Sequence, residues 1–205
     1  MAKSKQSKTN QQQQRKKQQP KQAKQNRSVV VHAPTSLSVR RTTPSSGDQQ
    51  TIQLFEVKQG LKQFDILPAA LPWLQGIAPS YQRWKLSNVR IWYEPRVSTA
   101  TNGTVAMAFH SDFMDGTPLD LTSLSLSGGS VRSAVWDRCS LPVRQSQVKE
   151  YCSLSSFNAL SPQDKNERAF GRVFAWGDLD SDIVAGRVFM SYTPHLSGPV
   201  DPKTQ

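Results

Sequence analysis

The separation of charged from apolar residues is the feature that most constrains this sequence. The chain has 205 residues, with 26 Lys and Arg against 15 Asp and Glu, and a formal net charge of +11. Residues 1–27 contain no Val, Ile, Leu or aromatic side chain. Such a segment cannot bury enough apolar area to offset the entropy lost on ordering. We therefore predict a disordered basic arm and linker over residues 1–50 and a folded domain over residues 51–205.

The arm holds the whole excess of positive charge. The first acidic residue is Asp48, and from there onward 15 bases balance 15 acids. A cationic segment of this kind is typical of binding to a polyanion, with a solubilising tail or an import signal near Arg15 as alternatives. The side chains predicted to bind are the eleven cations of the arm: Lys3, Lys5, Lys8, Arg15, Lys16, Lys17, Lys21, Lys24, Arg27, Arg40 and Arg41.

Beyond the linker the sequence alternates between apolar and polar residues with a period of two. Val105, Met107 and Phe109 lie on one side of a predicted strand, and Thr104 and Ala106 lie on the other. This period, with β-branched and aromatic residues, indicates half-buried strands separated by Gly and Pro clusters. The clearest strand segments are residues 88–93, 104–110, 130–136, 169–176 and 186–192.

Two short helices are predicted between the strands. One covers residues 71–77, with Pro72 in its first turn. The other covers residues 117–124, where Thr117 is a candidate N-cap and Pro118 the first helical residue. Many short antiparallel strands with two connecting helices indicate an all-β sandwich or jelly roll.

A pair of aspartates follows the predicted strand 104–110, in the stretch FHSDFMDGTP. Calcium requires six to eight oxygen ligands, and Asp112 and Asp115 supply two carboxylates on one loop, with Gly116 allowing it to bend. The alternative is that the pair ends the strand and lies near a helix N-terminus, where negative charge is favoured. The rival acidic stretch at Asp178, Asp180 and Asp182 is better explained as a solvated turn.

Neither catalysis nor membrane insertion is indicated. The three histidines are far apart in sequence, and the glycine-rich turn at 127–130 lacks the strand and helix that a nucleophile elbow or P-loop needs. Cys139 and Cys152 form neither a disulfide framework nor a zinc pattern. The N-terminus is polar, unlike a signal peptide, and no apolar run could span a bilayer. These features predict a soluble protein of a reducing compartment that has no small-molecule substrate.

One long stretch resembles a known family. WLQGIAPSYQRWKLSNVRIWYEPRVSTATNGTVAMAFHSDFMDGTP, followed by GGSVRSAVW, has a tryptophan-led helix, an aromatic strand ending in Tyr-x-Pro and a Thr-rich loop. A Gly-started strand, the aspartate pair before a Pro-led helix and a strand ending in Val-Trp come next. This order resembles the shell domain of sobemovirus and tombusvirus coat proteins. VAGRVFMSYT at residues 184–193 is similar to the last strand of that family.

The resemblance implies an eight-stranded jelly roll in a many-copy capsid, with the eleven arm cations bound to viral genomic RNA. It also implies that Asp112 and Asp115 bind calcium between subunits, although only Asp201 offers a carboxylate near the C-terminus. A T=3 shell, assembly in the host cytoplasm and no protruding second domain are further expectations. The alternatives are a cellular β-sandwich protein that binds single-stranded RNA with a basic tail, and a small jelly-roll enzyme or lectin.

Overall fold

The computed structural model describes residues 48–180 and 182–201. The prediction of a disordered arm and the eleven predicted RNA-binding cations lie outside these residues. The described part contains nine strands and four α-helices, in the order β1 (Gln50–Val57), β2 (Gly60–Ile66), α1 (Pro72–Ile77), β3 (Tyr81–Pro95), β4 (Gly103–His110), α2 (Leu121–Leu126), β5 (Val131–Ala134), β6 (Cys139–Leu141), β7 (Lys149–Glu150), α3 (Leu154–Ala159), α4 (Pro162–Arg168), β8 (Gly171–Leu179) and β9 (Gly186–Pro199).

The strands form two antiparallel sheets. Sheet I has the order β1-β9-β3-β6, and the two-residue strand β7 also pairs with β3. Sheet II has the order β2-β8-β4-β5. The chain passes back and forth between the sheets, so that neighbours within a sheet come from distant parts of the sequence. Eight principal strands arranged in this way form a jelly-roll β-sandwich, which confirms the predicted fold class.

The main core lies between the two sheets. Sheet I contributes Ile91, Tyr93 and Met190 to it, and sheet II contributes Val105 and Met107, all fully buried. The alternation predicted for residues 104–110 is therefore present, but β4 is buried on both faces. Ala106 and Ala108 are buried against Leu124 of α2 and Phe174 of β8, so a helix covers the face that was expected to meet solvent.

One predicted helix begins later than expected, and two of the observed helices were not predicted. α1 matches its predicted position. α2 begins at Leu121, because Asp120 rather than Thr117 is the N-cap: Ser123 N–H donates to Asp120 Oδ1 (2.6 Å), and Asp120 N–H donates to Ser123 Oγ (3.0 Å). This reciprocal capping box satisfies two backbone donors. The sequence analysis also missed α3 and α4. No helix in the described ranges is long and apolar enough to cross a bilayer.

Gly186 lies where three strands of sheet I meet, since it pairs with Val57 of β1 and Pro95 of β3. A Cβ at this position would clash with the backbone carbonyl of Glu94 and the ring of Tyr93. We predict that Gly186→Ala destabilises the fold by at least about 2 kcal/mol, because neither neighbour can move freely in a packed sheet. Urea denaturation of the full-length chain measures the effect.

Gly128→Ala is the matched control, because a Cβ at Gly128 would have nothing within 4 Å. It should change the unfolding free energy by less than about 1 kcal/mol. Equal unfolding midpoints for the two variants would contradict the packing described around Gly186.

Candidate functional site

The predicted aspartate pair lies on the loop between β4 and α2. The carboxylate of Asp112 accepts two hydrogen bonds at the same oxygen, Oδ1: one from the backbone N–H of Met114 (2.8 Å) and one from Nδ2 of Asn166 in α4 (2.6 Å). Asn166 Oδ1 in turn accepts from the backbone N–H of Phe113 (2.7 Å). The side chains of Asp112 and Asn166 therefore clasp the loop to α4.

The buried side chain of Phe113 also holds this loop in place. It is buried and lies in a small second core with Leu67, Phe157 and Ala169. Its ring meets the ring of Phe157 edge to face at 5.7 Å, and the guanidinium of Arg172 lies 4.7 Å from its centroid. Both contacts are favourable for an aromatic ring. A buried ring between two exposed aspartates fixes the loop, so its carboxylates are held in place rather than free to move with a solvated chain.

The hydrogen bonds of the clasp favour the ionised form of Asp112. The Met114 N–H, and after it the Asn166 amide, lowers the pKa of the Asp112 carboxyl below its usual value. His110, the last residue of β4, has a lowered pKa chiefly because burial disfavours its charged form; Asp115 opposes that effect and Arg172 adds to it. The loop thus presents an ionised carboxylate beside a histidine that burial biases toward neutrality.

Exposed apolar side chains surround the pair. Met114, Leu119 and Leu126 are 63%, 88% and 81% exposed. Large exposed apolar side chains that form one patch mark a site of contact with another protein or ligand, and these three lie within 13 residues of sequence. We call residues 111–126 the acidic contact segment, because it joins both aspartates and these three side chains on one continuous stretch.

The structure brings Asp112 and Asp115 together on one loop but adds no third ligand. Within the described ranges, no three His, Cys, Asp or Glu side chains converge on a point that could hold a metal. Asp201 therefore does not complete the site within one subunit, and the rival acids Asp178, Asp180 and Asp182 form no such group either. On this loop, the carboxylate of Asp115 and Oδ2 of Asp112, which accepts no hydrogen bond from a described residue, are the oxygens that could bind a further ligand.

Sequence reasoning missed Asn166. Its helix could have been found, because Ser161 is an N-cap whose hydroxyl accepts from the N–H of Asp164, and Pro162 follows at the first helical position. The clasp itself could not, since Asn166 and Asp112 are 54 residues apart and only the tertiary fold brings them together.

Comparison with known proteins assigns the chain to a family. Residues 7–202 match the profile of the viral coat protein (S domain) family, and the chain belongs to it. The capsid protein of Pothos latent virus (isolate Pigeonpea/India) is 37% identical over 134 residues, which cover 64% of this chain and 34% of that protein. The capsid protein of Cucumber necrosis virus is 32% identical over 129 residues, covering 63% and 33%. The match spans about a third of the length of these relatives.

Solved structures show the same fold. Cocksfoot mottle virus aligns with a TM-score of 0.65 at 20% identity, covering 76% of this chain and 96% of the matched chain. Tobacco necrosis virus aligns with a TM-score of 0.62 at 20% identity, covering 77% and 100%. These comparisons confirm the resemblance seen in the sequence and the jelly-roll class. The family match identifies the chain as a viral coat protein, and the named relatives are capsid proteins rather than enzymes.

The clasp predicts how Asp112 titrates. The pKa of Asp112 is lower in the folded state than in the unfolded state. The hydrogen bonds to its carboxylate therefore stabilise the fold at neutral pH, and this stabilisation is lost as the pH falls through the folded-state pKa. We predict that Asn166→Ala raises the pKa of Asp112 toward its ordinary value, though not fully, since the Met114 N–H remains. The acid-induced loss of stability should shrink accordingly.

Carboxyl-carbon NMR of the dissociated full-length subunit, recorded against pH, reports this pKa directly. Asn158→Ala, an exposed amide on α3, is the control and should leave the titration of Asp112 unchanged. An Asp112 titration that is the same in Asn166→Ala as in wild type would show that the side-chain hydrogen bond is not formed in solution.

Proposed function

We propose that this chain is a capsid protein whose copies assemble into a closed virion shell and package genomic RNA through the basic N-terminal arm. Membership of the viral coat protein (S domain) family is the observation that supports it most directly. The relatives are capsid proteins by name. A cellular RNA-binding module with the same sandwich would not account for this match.

The acidic contact segment supports assembly. Its exposed apolar side chains would be buried against a neighbouring copy, at about 25 cal/mol for each Å² removed from water. Closed shells use such contacts repeatedly through symmetry. We propose that this segment lies at a subunit interface of the assembled shell. A T=3 shell and assembly in the host cytoplasm remain expectations from the family resemblance.

Calcium fits the segment as a shared ligand. Asp112 uses only Oδ1 for the clasp, so Oδ2 makes no hydrogen bond to the described residues, and Asp115 is exposed on the same anchored loop. Both are hard oxygen donors of the type that calcium prefers. The remaining ligands would come from the neighbouring subunit, including its backbone carbonyls or Asp201. The ion would supply the counter-charge for carboxylates brought together at the interface.

RNA is the partner that the charge distribution favours for the arm. The eleven cations precede the first acidic residue, whereas the rest of the chain is electrically balanced. With no aromatic side chain in residues 1–41, the arm can contact phosphates but cannot stack on bases. It should therefore bind RNA with little sequence preference.

The arm predicts a steep dependence of RNA affinity on salt. With about −0.7 per phosphate contact on a single strand, eleven contacts would give a log–log slope of at most about −8. Changing the eleven Lys and Arg residues of the arm to Gln should remove most of that slope and abolish packaging. Fluorescence anisotropy with oligouridine at several salt concentrations measures the slope. A variant with arm glutamines changed to serine is the neutral control and should behave as wild type. A neutralised arm that keeps the wild-type slope would refute the assignment.

If Asp112 and Asp115 bind calcium between subunits, the stability of the particles should depend on calcium. At neutral pH, chelation should leave ionised carboxylates facing one another without counter-charge, so particles should swell or dissociate. Asp112→Asn together with Asp115→Asn should weaken the particles and remove their response to chelator, while the subunit still folds. Analytical sedimentation with calcium or with chelator measures both effects.

Asp180→Asn with Asp182→Asn is the matched control, since it removes two exposed acids from the rival acidic turn. Its particles should respond to chelator as wild type does. If chelator does not change the sedimentation of wild-type particles, Asp112 and Asp115 do not bind a stabilising calcium ion, and their role is limited to fixing their own loop.

A further inference from the structure

The outer face of sheet I carries an aromatic pair. On β3, Ile91 and Tyr93 point into the core, so Trp92 between them points away from it. Trp92 stacks on Phe189 of the adjacent strand β9, with ring centroids 5.9 Å apart and planes inclined by 19°. Its indole N–H donates to Glu94 Oε1 (3.1 Å), which fixes the orientation of the ring. The indole is therefore a rigid, partly exposed platform outside the hydrophobic core.

A groove of about 590 Å³ runs beside this platform. Trp92 lines it together with polar and apolar residues in similar number. The polar ones are Gln49, Thr51, Arg90, Ser140 and Ser191, and the apolar ones are Val89, Ile91, Leu141, Pro142 and Val143. The aromatic ring offers a stacking surface, while the amide and hydroxyl groups can form hydrogen bonds. A groove with apolar walls, one aromatic ring and a few polar groups can hold a planar ring that also forms hydrogen bonds.

Cations extend from the groove along the same face. Arg83, Lys85 and Arg90 all lie on the outer side of β3. A bulge adds one residue to β3 after Ser87, with Asn88 at φ 52°, so the side chain of Arg90 is on the same side as that of Lys85. None of the three cations forms an ion pair with a described residue. Other arginines of the described domain do have a carboxylate partner: Arg96 and Arg187 share Glu56, and Arg138 lies 3.9 Å from Glu94. Arg132 and Arg144 also form no ion pair with a described residue.

We infer that this face binds single-stranded RNA, with a base stacked on Trp92 in the groove and the flanking phosphates on Arg90 and Lys85. Aromatic platforms beside a line of cations are how proteins hold single strands without reading their sequence. The unpaired cations favour a polyanion over a second copy of this electrically balanced domain. The inference rests on the proposed function in taking RNA as the partner, but it adds a base-contacting site that the arm, which lacks aromatics, cannot provide.

The position of the groove agrees with delivery of RNA by the arm. Gln49, which immediately precedes β1, is one of the residues that line the groove, and the eleven cations precede it in the same chain. A strand held by the arm is thereby kept at high local concentration near Trp92. The arm would supply the salt-dependent attraction, and the groove would supply stacking.

Stacking and phosphate contacts can be separated with two probes of equal charge, a short oligouridine and the same oligomer with abasic residues. Both are titrated against the full-length chain by anisotropy over a range of salt concentrations. Trp92→Leu should weaken binding of oligouridine about 5- to 100-fold, from the typical worth of one base–aromatic stack, and should leave abasic binding and the salt slope unchanged. Trp92→Phe should recover most of the affinity. Arg90→Gln should reduce the slope by about 0.7 for both probes.

Trp136→Leu is the matched control, because Trp136 is an exposed tryptophan (42%) that follows β5 of sheet II. It should bind both probes as wild type does. Photocrosslinking of iodouridine-labelled oligomer should also place the adduct on Trp92. Equal losses for both probes in Trp92→Leu, an adduct confined to the arm, or a Trp92→Leu chain that binds RNA normally but fails to assemble would overturn the inference. The last result would make this face a contact between copies. The proposed role of the arm is tested by a different measurement: it would be refuted if the variant with a neutralised arm kept the wild-type salt slope.

Discussion

The pairing of β3 with β9 at the centre of sheet I is the interaction on which the rest of the structure depends. The ladder runs from Tyr81 opposite Pro199 to Pro95 opposite Gly186, and β1 and β6 then pair on its two outer sides. Because side chains alternate along a strand, this one ladder assigns Ile91 and Met190 to the core and Arg90 and Trp92 to the surface. The bulge after Ser87 keeps that assignment along the whole strand, which would otherwise reverse with a one-residue shift.

Patterns of two-residue period were sufficient to predict most strands and the fold class. The segment at residues 88–93 was predicted as a strand, and its alternation is present: Ile91 and Tyr93 are buried, whereas Arg90 is exposed. The burial of both faces of β4 could not be predicted, because it depends on α2 packing against Ala106 and Ala108. Small residues on the second face were consistent with a helix lying close, but alternation alone does not distinguish a covered face from a solvated one.

The sequence analysis predicted Asp112 and Asp115 as metal ligands, which stays a prediction, and it did not find Asn166. The sequence indicated Asp112 and Asp115 as carboxylates on a loop, and left open whether they bind a metal or merely end a strand. The structure shows that Asp112 has a local role in any case, because its Oδ1 fixes the loop to Asn166. A local role and metal binding are compatible in this geometry, since they use different oxygens of the same carboxylate. The sequence could not reveal this division, which depends on a contact across 54 residues.

The distribution of charge explains how one chain can serve both proposed roles. A shell domain must pack against many copies of itself, and a strong net charge on it would add repulsion at every interface. Here the described domain is nearly neutral, and five of its nine arginines form ion pairs, as Arg172 does with Asp65 (2.6 Å) and Arg168 with Glu150 (2.6 Å). Arg83, Lys85 and Arg90 belong to the cations without an ion pair among the described residues, and these three share the outer face of one strand, β3. In a chain that confines its excess charge to the arm, they are the positions where the domain itself would contact RNA under the proposed function.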